Sequence, residues 1–178
     1  QYLTPEEVKG YYEKLDKSLL ETKSAKNIKK VLDSMTGNTL GKPAPNFSAT
    51  SPEGKTISLK ESLGKVTIID FWASWCGPCR AENPNVVAMY NELHDKGLNI
   101  IGVSLDKDAA KWKEAIAKDK LTWAHVSNLK FWDEPIAKQY NVQSIPATFI
   151  LDAKGNIVAK DLRGDALKAK VKELLGVK

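Results

Sequence analysis

Two cysteines, Cys76 and Cys79, stand three positions apart with Gly77-Pro78 between them, and the chain has no others. Their surroundings restrict the fold more than any other stretch. The run Val66-Thr67-Ile68-Ile69-Asp70-Phe71-Trp72-Ala73 leads into them, bounded by Gly64 before it and Gly77-Pro78 after it. Apolar, β-favouring residues between such breakers predict a buried strand. Past Pro78 the spacing turns helical, with Val86, Tyr90 and Leu93 on one face and Gly97 as a stop. Cys76 therefore belongs where a strand ends and a helix begins. Free N–H groups and the positive end of the helix dipole meet it there, and both favour a thiolate.

Two cysteines at this spacing can close a small disulfide ring and open it again. Cys76, the outer sulfur, would attack; Cys79, one turn in, would resolve the mixed disulfide. Pro78 is tolerated because the first helical turn has no partner for its missing N–H. A zinc site usually needs four ligands, yet there is no second cysteine pair, and His94 and His125 lie at unhelpful spacing. A purely structural bridge would close too short a loop to constrain the unfolded chain much. The expectation is redox chemistry, with no metal and no cofactor.

The stretch Asp70-Phe71-Trp72-Ala73-Ser74-Trp75-Cys76-Gly77-Pro78-Cys79 resembles the active-site segment of thioredoxins, whose Cys-Gly-Pro-Cys it matches letter for letter. Arg80-Ala81-Glu82-Asn83-Pro84 and Ser144-Ile145-Pro146-Ala147-Thr148-Phe149 resemble the periplasmic thioredoxin-like reductases of the TlpA/ResA type. The resemblance spans about Gly41 to the C-terminus. It implies a thioredoxin-like α/β fold, a central mixed sheet flanked by helices, with a helix-containing insert between Ser104 and Tyr140. It also implies reduction of disulfides in a partner protein, an upstream thiol donor and a periplasmic location, any membrane tether lying outside this chain.

Residues 1–40 read as an N-terminal helical extension or connector, and residues 41–178 as the thioredoxin-like domain. Thr4-Pro5-Glu6-Glu7 is a helix start, with Thr4 as N-cap. Val8, Tyr11, Tyr12, Leu15 and Leu19 follow at helical spacing and predict one apolar face. A second helix is expected from Ser24 to Met35, with Ile28, Val31 and Leu32 on its apolar side. The prolines of Gly41-Lys42-Pro43-Ala44-Pro45-Asn46-Phe47 enforce an extended opening to the domain. A hairpin (47–50 and 55–58), a short helix over 59–63, a strand over 98–104 and a helix capped by Asp108 come next. An extended piece over 121–126, a short helix over 135–140, a second hairpin (148–151 and 157–160) and a terminal helix stopped by Gly176 complete the chain.

Several groups can support the dithiol. Asp70 interrupts an apolar strand; an unpaired buried carboxylate has a raised pKa and can exchange protons. The alternative is an Asp bonded to backbone at the strand's end. The resemblance implies that Asp70 accepts a proton from the inner cysteine through water; several TlpA/ResA-type reductases carry another residue there. Glu82 lies one turn past Cys79 on the same helix face. It reads either as an exposed glutamate or, by the resemblance, as a cleft residue that influences cysteine reactivity. Pro146 resembles the cis-proline opposite the cysteines, which would aim the Ile145 backbone at a bound peptide; an ordinary trans proline is the alternative. Trp75, with Gly77 and Pro78, would contact a protein substrate. Trp72, Trp112, Trp123 and Trp132 read as core, and His94 and His125 as structural.

The totals exclude little else. Among 178 residues, 27 basic against 22 acidic give a net charge of +5, without one basic tract, so nucleic acid is not an expected partner. No stretch reaches the ~20 apolar residues of a membrane span. The lack of an initiator Met and of a signal-peptide pattern suggests a processing or cloning boundary at the start. Two rival readings fit the sequence less well. A peroxiredoxin would fit the opening segment, but the residues before Cys76 are bulky aromatics. A copper chaperone would want an extra Met or His ligand, and none stands in a convincing place.

Overall fold

The computed structural model describes residues 5–36 and 38–177. Three helices come first: α1 (Pro5–Glu13), α2 (Lys17–Leu20) and α3 (Lys23–Thr36). The hairpin β1 (Ser48–Thr50) and β2 (Thr56–Ser58) follows, then β3 (Val66–Trp72), α4 (Gly77–Leu93), β4 (Leu98–Ser104), α5 (Ala109–Lys118) and β5 (Ala124–Val126). The chain closes with α6 (Pro135–Gln139), β6 (Ala147–Leu151), β7 (Ile157–Lys160) and α7 (Gly164–Leu175). Five strands make the main sheet in the order β5-β4-β3-β6-β7. β3 pairs parallel to β4, and β4 to β5; β6 pairs antiparallel to both β3 and β7. This is the expected mixed sheet, with helices on both faces.

The central strand explains the rest. Every residue of β3 is buried, as a strand covered on both faces demands, so it reads as a continuous apolar run without alternation. Its two faces carry different loads. Phe71 packs against Tyr140 at a tilt and edge-to-face against Phe149, and Tyr140 meets Phe47 and Phe149 edge-to-face. Asp70 and Trp72 point the other way; Trp72 meets His125, which stacks on Trp123, which in turn meets Tyr90 of α4. Gly102 lies opposite Asp70 in β4, where a Cβ would come within 2.5 Å of His125 Nδ1 and 3.1 Å of Trp72 Nε1. Gly102→Ala should therefore destabilise the fold by about 1–3 kcal/mol through overpacking, read from the midpoint of urea unfolding at unchanged slope.

Most boundaries agree with the sequence reading. Gly97 at φ 115° and Gly176 at φ 68° end their helices in the left-handed region. Asp108 accepts the N–H groups of Ala110 and Lys111.

The N-terminal helices are the exception. The expected apolar face over Val8–Leu19 is broken between α1 and α2, where Asp16 accepts the N–H of Ser18 and caps a new helix. Tyr11 and Leu19 are left exposed. In α3 it is Ala25 and Leu32 that are buried, while Ile28 and Val31 face solvent. A capping side chain inside a periodic run has overridden the period. Thr4 and Gly37 lie outside the described residues. Beyond α3, Gly41 and Lys42 exchange backbone bonds with Ile157, Ala44 donates to Gly155 O, and Pro43 bridges to Asn156. No helix among the described residues is long and apolar enough to cross a membrane.

Candidate functional site

β3 delivers the chain to a three-residue loop, Ala73-Ser74-Trp75, and the loop is held from two sides. Asp106, fully buried two residues past β4, takes the Ser74 N–H at 3.0 Å and its hydroxyl at 2.5 Å. The Ser104 hydroxyl also donates to Asp106, at 2.6 Å. From the first turn of α4, Arg80 donates to Ser74 O at 3.0 Å and grips Asp119 with a two-pronged fork. Asn83 donates to the same carboxylate at 2.7 Å. Burial opposes the charged form of Asp119, but the Arg80 and Asn83 hydrogen bonds outweigh it and lower its pKa. The loop is thereby fixed relative to α4 and α5.

Cys76 is the N-cap of α4. Its Sγ accepts the Cys79 N–H at 3.2 Å, the role a serine or aspartate oxygen usually takes. The two sulfurs are joined in a disulfide with Cα atoms 5.3 Å apart. In this oxidised form both are buried, Cys76 at 5% exposure and Cys79 at 2%. Gly77 and Pro78 are exposed beside them.

A cavity of about 20 Å³ lies beneath Cys79, room for one water. Asp70, Cys79, Glu82, Pro146, Thr148 and Arg163 are among its walls, and Cys76 is not. Asp70 is raised to about 7, first by burial, then by the Glu82 charge, with Arg163 pulling the other way. Among the described residues no backbone N–H bonds its carboxylate. Glu82 is half-buried and accepts the Gly164 N–H at 2.7 Å and the Asn85 amide at 3.2 Å, so it ties α4 to the start of α7. Arg163 donates to Pro146 O at 2.7 Å. The Ile145–Pro146 bond is cis.

Residues distant in sequence thus meet around one disulfide: Asp70 from β3, Cys79 and Glu82 from α4, and Pro146 before β6. Trp75 stands exposed at the rim. His94 bonds Leu98 O, and buried His125 bonds Leu121 O, its pKa depressed to about 4 by burial. Neither lines the cavity beneath Cys79. Among the described residues no group of three His, Cys, Asp or Glu could hold a metal ion.

A family model, AhpC/TSA, matches residues 40–160, more than half of the chain. The chain belongs to the AhpC/TSA family. It is similar to the thiol-disulfide oxidoreductase ResA of Bacillus thuringiensis, 32% identical over 136 residues that cover 76% of each chain. It is also similar to the thioredoxin-like protein YneN of Bacillus subtilis, 35% identical over 66% of this chain and 68% of that one. Among solved structures, the thioredoxin domain of a thiol-disulfide oxidoreductase from Bacteroides vulgatus is 36% identical with a TM-score of 0.72. The match covers 77% of this chain and 98% of that one. The chain is accordingly an AhpC/TSA member of thioredoxin-like fold and a thiol-disulfide oxidoreductase. A dithiol at a helix N-terminus gives up two electrons and two protons as it closes to a disulfide, which is what that chemistry requires.

Sequence reasoning missed part of this AhpC/TSA site. Ser74–Asp106 and Arg80–Asp119 pair residues 32 and 39 positions apart, and no local pattern announces such pairs. Trp132, read as core, is instead 37% exposed against Trp75. A run of Leu129, Phe131 and Trp132 within a loop, just before Pro135, was the available signal.

Proposed function

We propose that the chain reduces disulfides in partner proteins by dithiol–disulfide exchange. The thiolate of Cys76 attacks a substrate sulfur, releasing the other as a thiolate and forming a mixed disulfide. Cys79 then loses its proton and attacks Cys76 Sγ, releasing the second substrate sulfur and closing the Cys76–Cys79 bond. Asp70, through a water in the cavity it shares with Cys79, accepts that proton, and the Glu82 charge tunes Asp70. Trp75, Gly77, Pro78 and the Ile145–Pro146 backbone line the approach of the substrate. A thiol donor returns the pair to the dithiol.

One observation carries this assignment of roles: the Cys79 N–H points at Cys76 Sγ from the first turn of α4. A negative sulfur at Cys76 would gain that bond and the helix dipole together, whereas Cys79 gains neither. We further propose a periplasmic setting, with residues 1–40 as a helical extension of, or connector to, the domain over 41–178.

Insulin reduction in the presence of a thiol donor tests the activity, and pH-dependent alkylation tests the roles. Cys76 should titrate below the ~8.5 of a free thiol. The dithiol potential should lie nearer the roughly −270 mV of thioredoxin than the roughly −120 mV of DsbA, because Gly-Pro separates the sulfurs. Intact insulin, or a more acidic Cys79, refutes the proposal.

A further inference from the structure

Three aromatic side chains stand exposed in one patch beside the dithiol. Trp75, Phe131 and Trp132 are 46%, 40% and 37% exposed. Their ring centroids lie 5.2 Å (75–131), 6.3 Å (75–132) and 6.2 Å (131–132) apart. Contiguous aromatic surface of this kind marks recognition more often than chance.

The patch is also held in place against local preference. Phe131 sits at φ 53° and Leu129 at φ 56°, a region bulky residues avoid. Buried Glu134 enforces that loop by taking the Asn128 N–H at 2.9 Å, the Asn128 amide at 2.6 Å and the Ile136 N–H at 3.3 Å. Ser127 Oγ takes the Leu129 N–H at 3.0 Å. Asp106, whose carboxylate fixes Ser74, accepts the Phe131 N–H on its carbonyl at 3.4 Å. One residue therefore sets both halves of the patch. None of these bonds buries Phe131 or Trp132, so the strained backbone serves their placement on the surface.

The surrounding charge is positive. Lys107 lies over the Phe131 ring, 5.8 Å from its centroid. A groove of about 280 Å³ runs on from Trp75, lined by Lys111, Lys118, Glu114 and Arg80, whose charge Asp119 takes. The three lysines join no ion pair among the described residues, and Asp133 nearby is engaged by Lys138 at 2.6 Å.

We infer that Trp75, Phe131 and Trp132 form a docking face for polypeptide disulfides that carry a large apolar side chain beside the attacked cysteine, in an acidic sequence context. The inference rests on the reductase reading and adds its substrate class. A substrate sulfur that reaches Cys76 must bring its chain neighbours, spaced ~3.5 Å apart along an extended strand, across Trp75 and onto the adjoining rings. Acidic residues further along would then meet the lysines.

The test uses pre-reduced protein and three cyclic peptide disulfides. One has Leu beside the cystine and Glu beyond it; the second has Gly for Leu; the third has Lys for Glu. The Leu peptide should be reduced about tenfold faster than the Gly peptide, the factor one partly buried apolar side chain supplies. It should also be reduced several-fold faster than the Lys peptide, a gap that closes in high salt. In Phe131→Ser/Trp132→Ser, which leaves only Trp75 of the three rings, the Leu-to-Gly ratio should fall severalfold. That ratio is read within one protein, so a loss of folded material cancels.

A ratio near one in the native protein, or a ratio retained in the double variant, overturns the docking face. Equal rates for the Glu and Lys peptides overturn the acidic preference. If a small aromatic disulfide is reduced but no peptide is, docking alone fails. If nothing is reduced, the reductase reading fails and takes the inference with it.

Discussion

Cys79→Ser should leave partner proteins covalently attached to Cys76. Thiol attack still forms the mixed disulfide, but no second sulfur remains to release it, so turnover falls by at least roughly 10³-fold. Non-reducing gels of the variant should show thiol-sensitive adducts with native partners. Cys76→Ser should lose turnover equally and yet trap nothing, because its remaining sulfur lies at 2% exposure above the buried cavity. Neither change should cost much fold stability, since the bridge joins residues only three positions apart. Equal trapping by both variants would refute the division of roles between the sulfurs.

Asp70→Asn should change stability and rate in opposite directions. Burial, followed by the Glu82 charge, raises Asp70 from 3.8 to about 7. The folded state then holds a proton that the unfolded state has lost, so stability falls as pH rises from about 4 to about 7. Above pH 7 the penalty is complete, and roughly three pH units correspond to about 4 kcal/mol at most. An amide cannot ionise and escapes it. Relative to the native protein, the oxidised Asp70→Asn variant should gain stability between pH 4 and pH 8, by urea unfolding at each pH. Its reduction of disulfides at pH 8 should drop about 10²-fold, the usual contribution of a positioned base. The rise of the native rate through pH 7 should also disappear. A variant with the native pH profile would remove Asp70 from the mechanism.

The sequence reading succeeded wherever one segment held its own evidence. β3, α4, β4, α5 and α7 were legible because each combines an apolar run or period with a breaker or cap, such as Gly97, Asp108 and Gly176. The acid beneath the dithiol was legible too, since a carboxylate in an otherwise apolar strand is costly unless it has a role. What failed depended on distant partners. Asp106 and Asp119 look like ordinary polar residues until the fold brings them to Ser74 and Arg80. Trp132 looks like core until the Glu134-bonded loop turns it outward. Along residues 8–19, a regular apolar period lost to a single capping aspartate, Asp16.

Gly41 and Lys42 exchange backbone bonds with Ile157 at the start of β7, the last strand of the sheet. A sheet's outermost strand offers a row of open donors and acceptors to which another chain can zip. Here the chain's own approach segment occupies the beginning of that row, and its Pro43 and Pro45 lack the N–H groups that would prolong it outward. The stretch that leads into the fold thereby covers the start of the β7 edge.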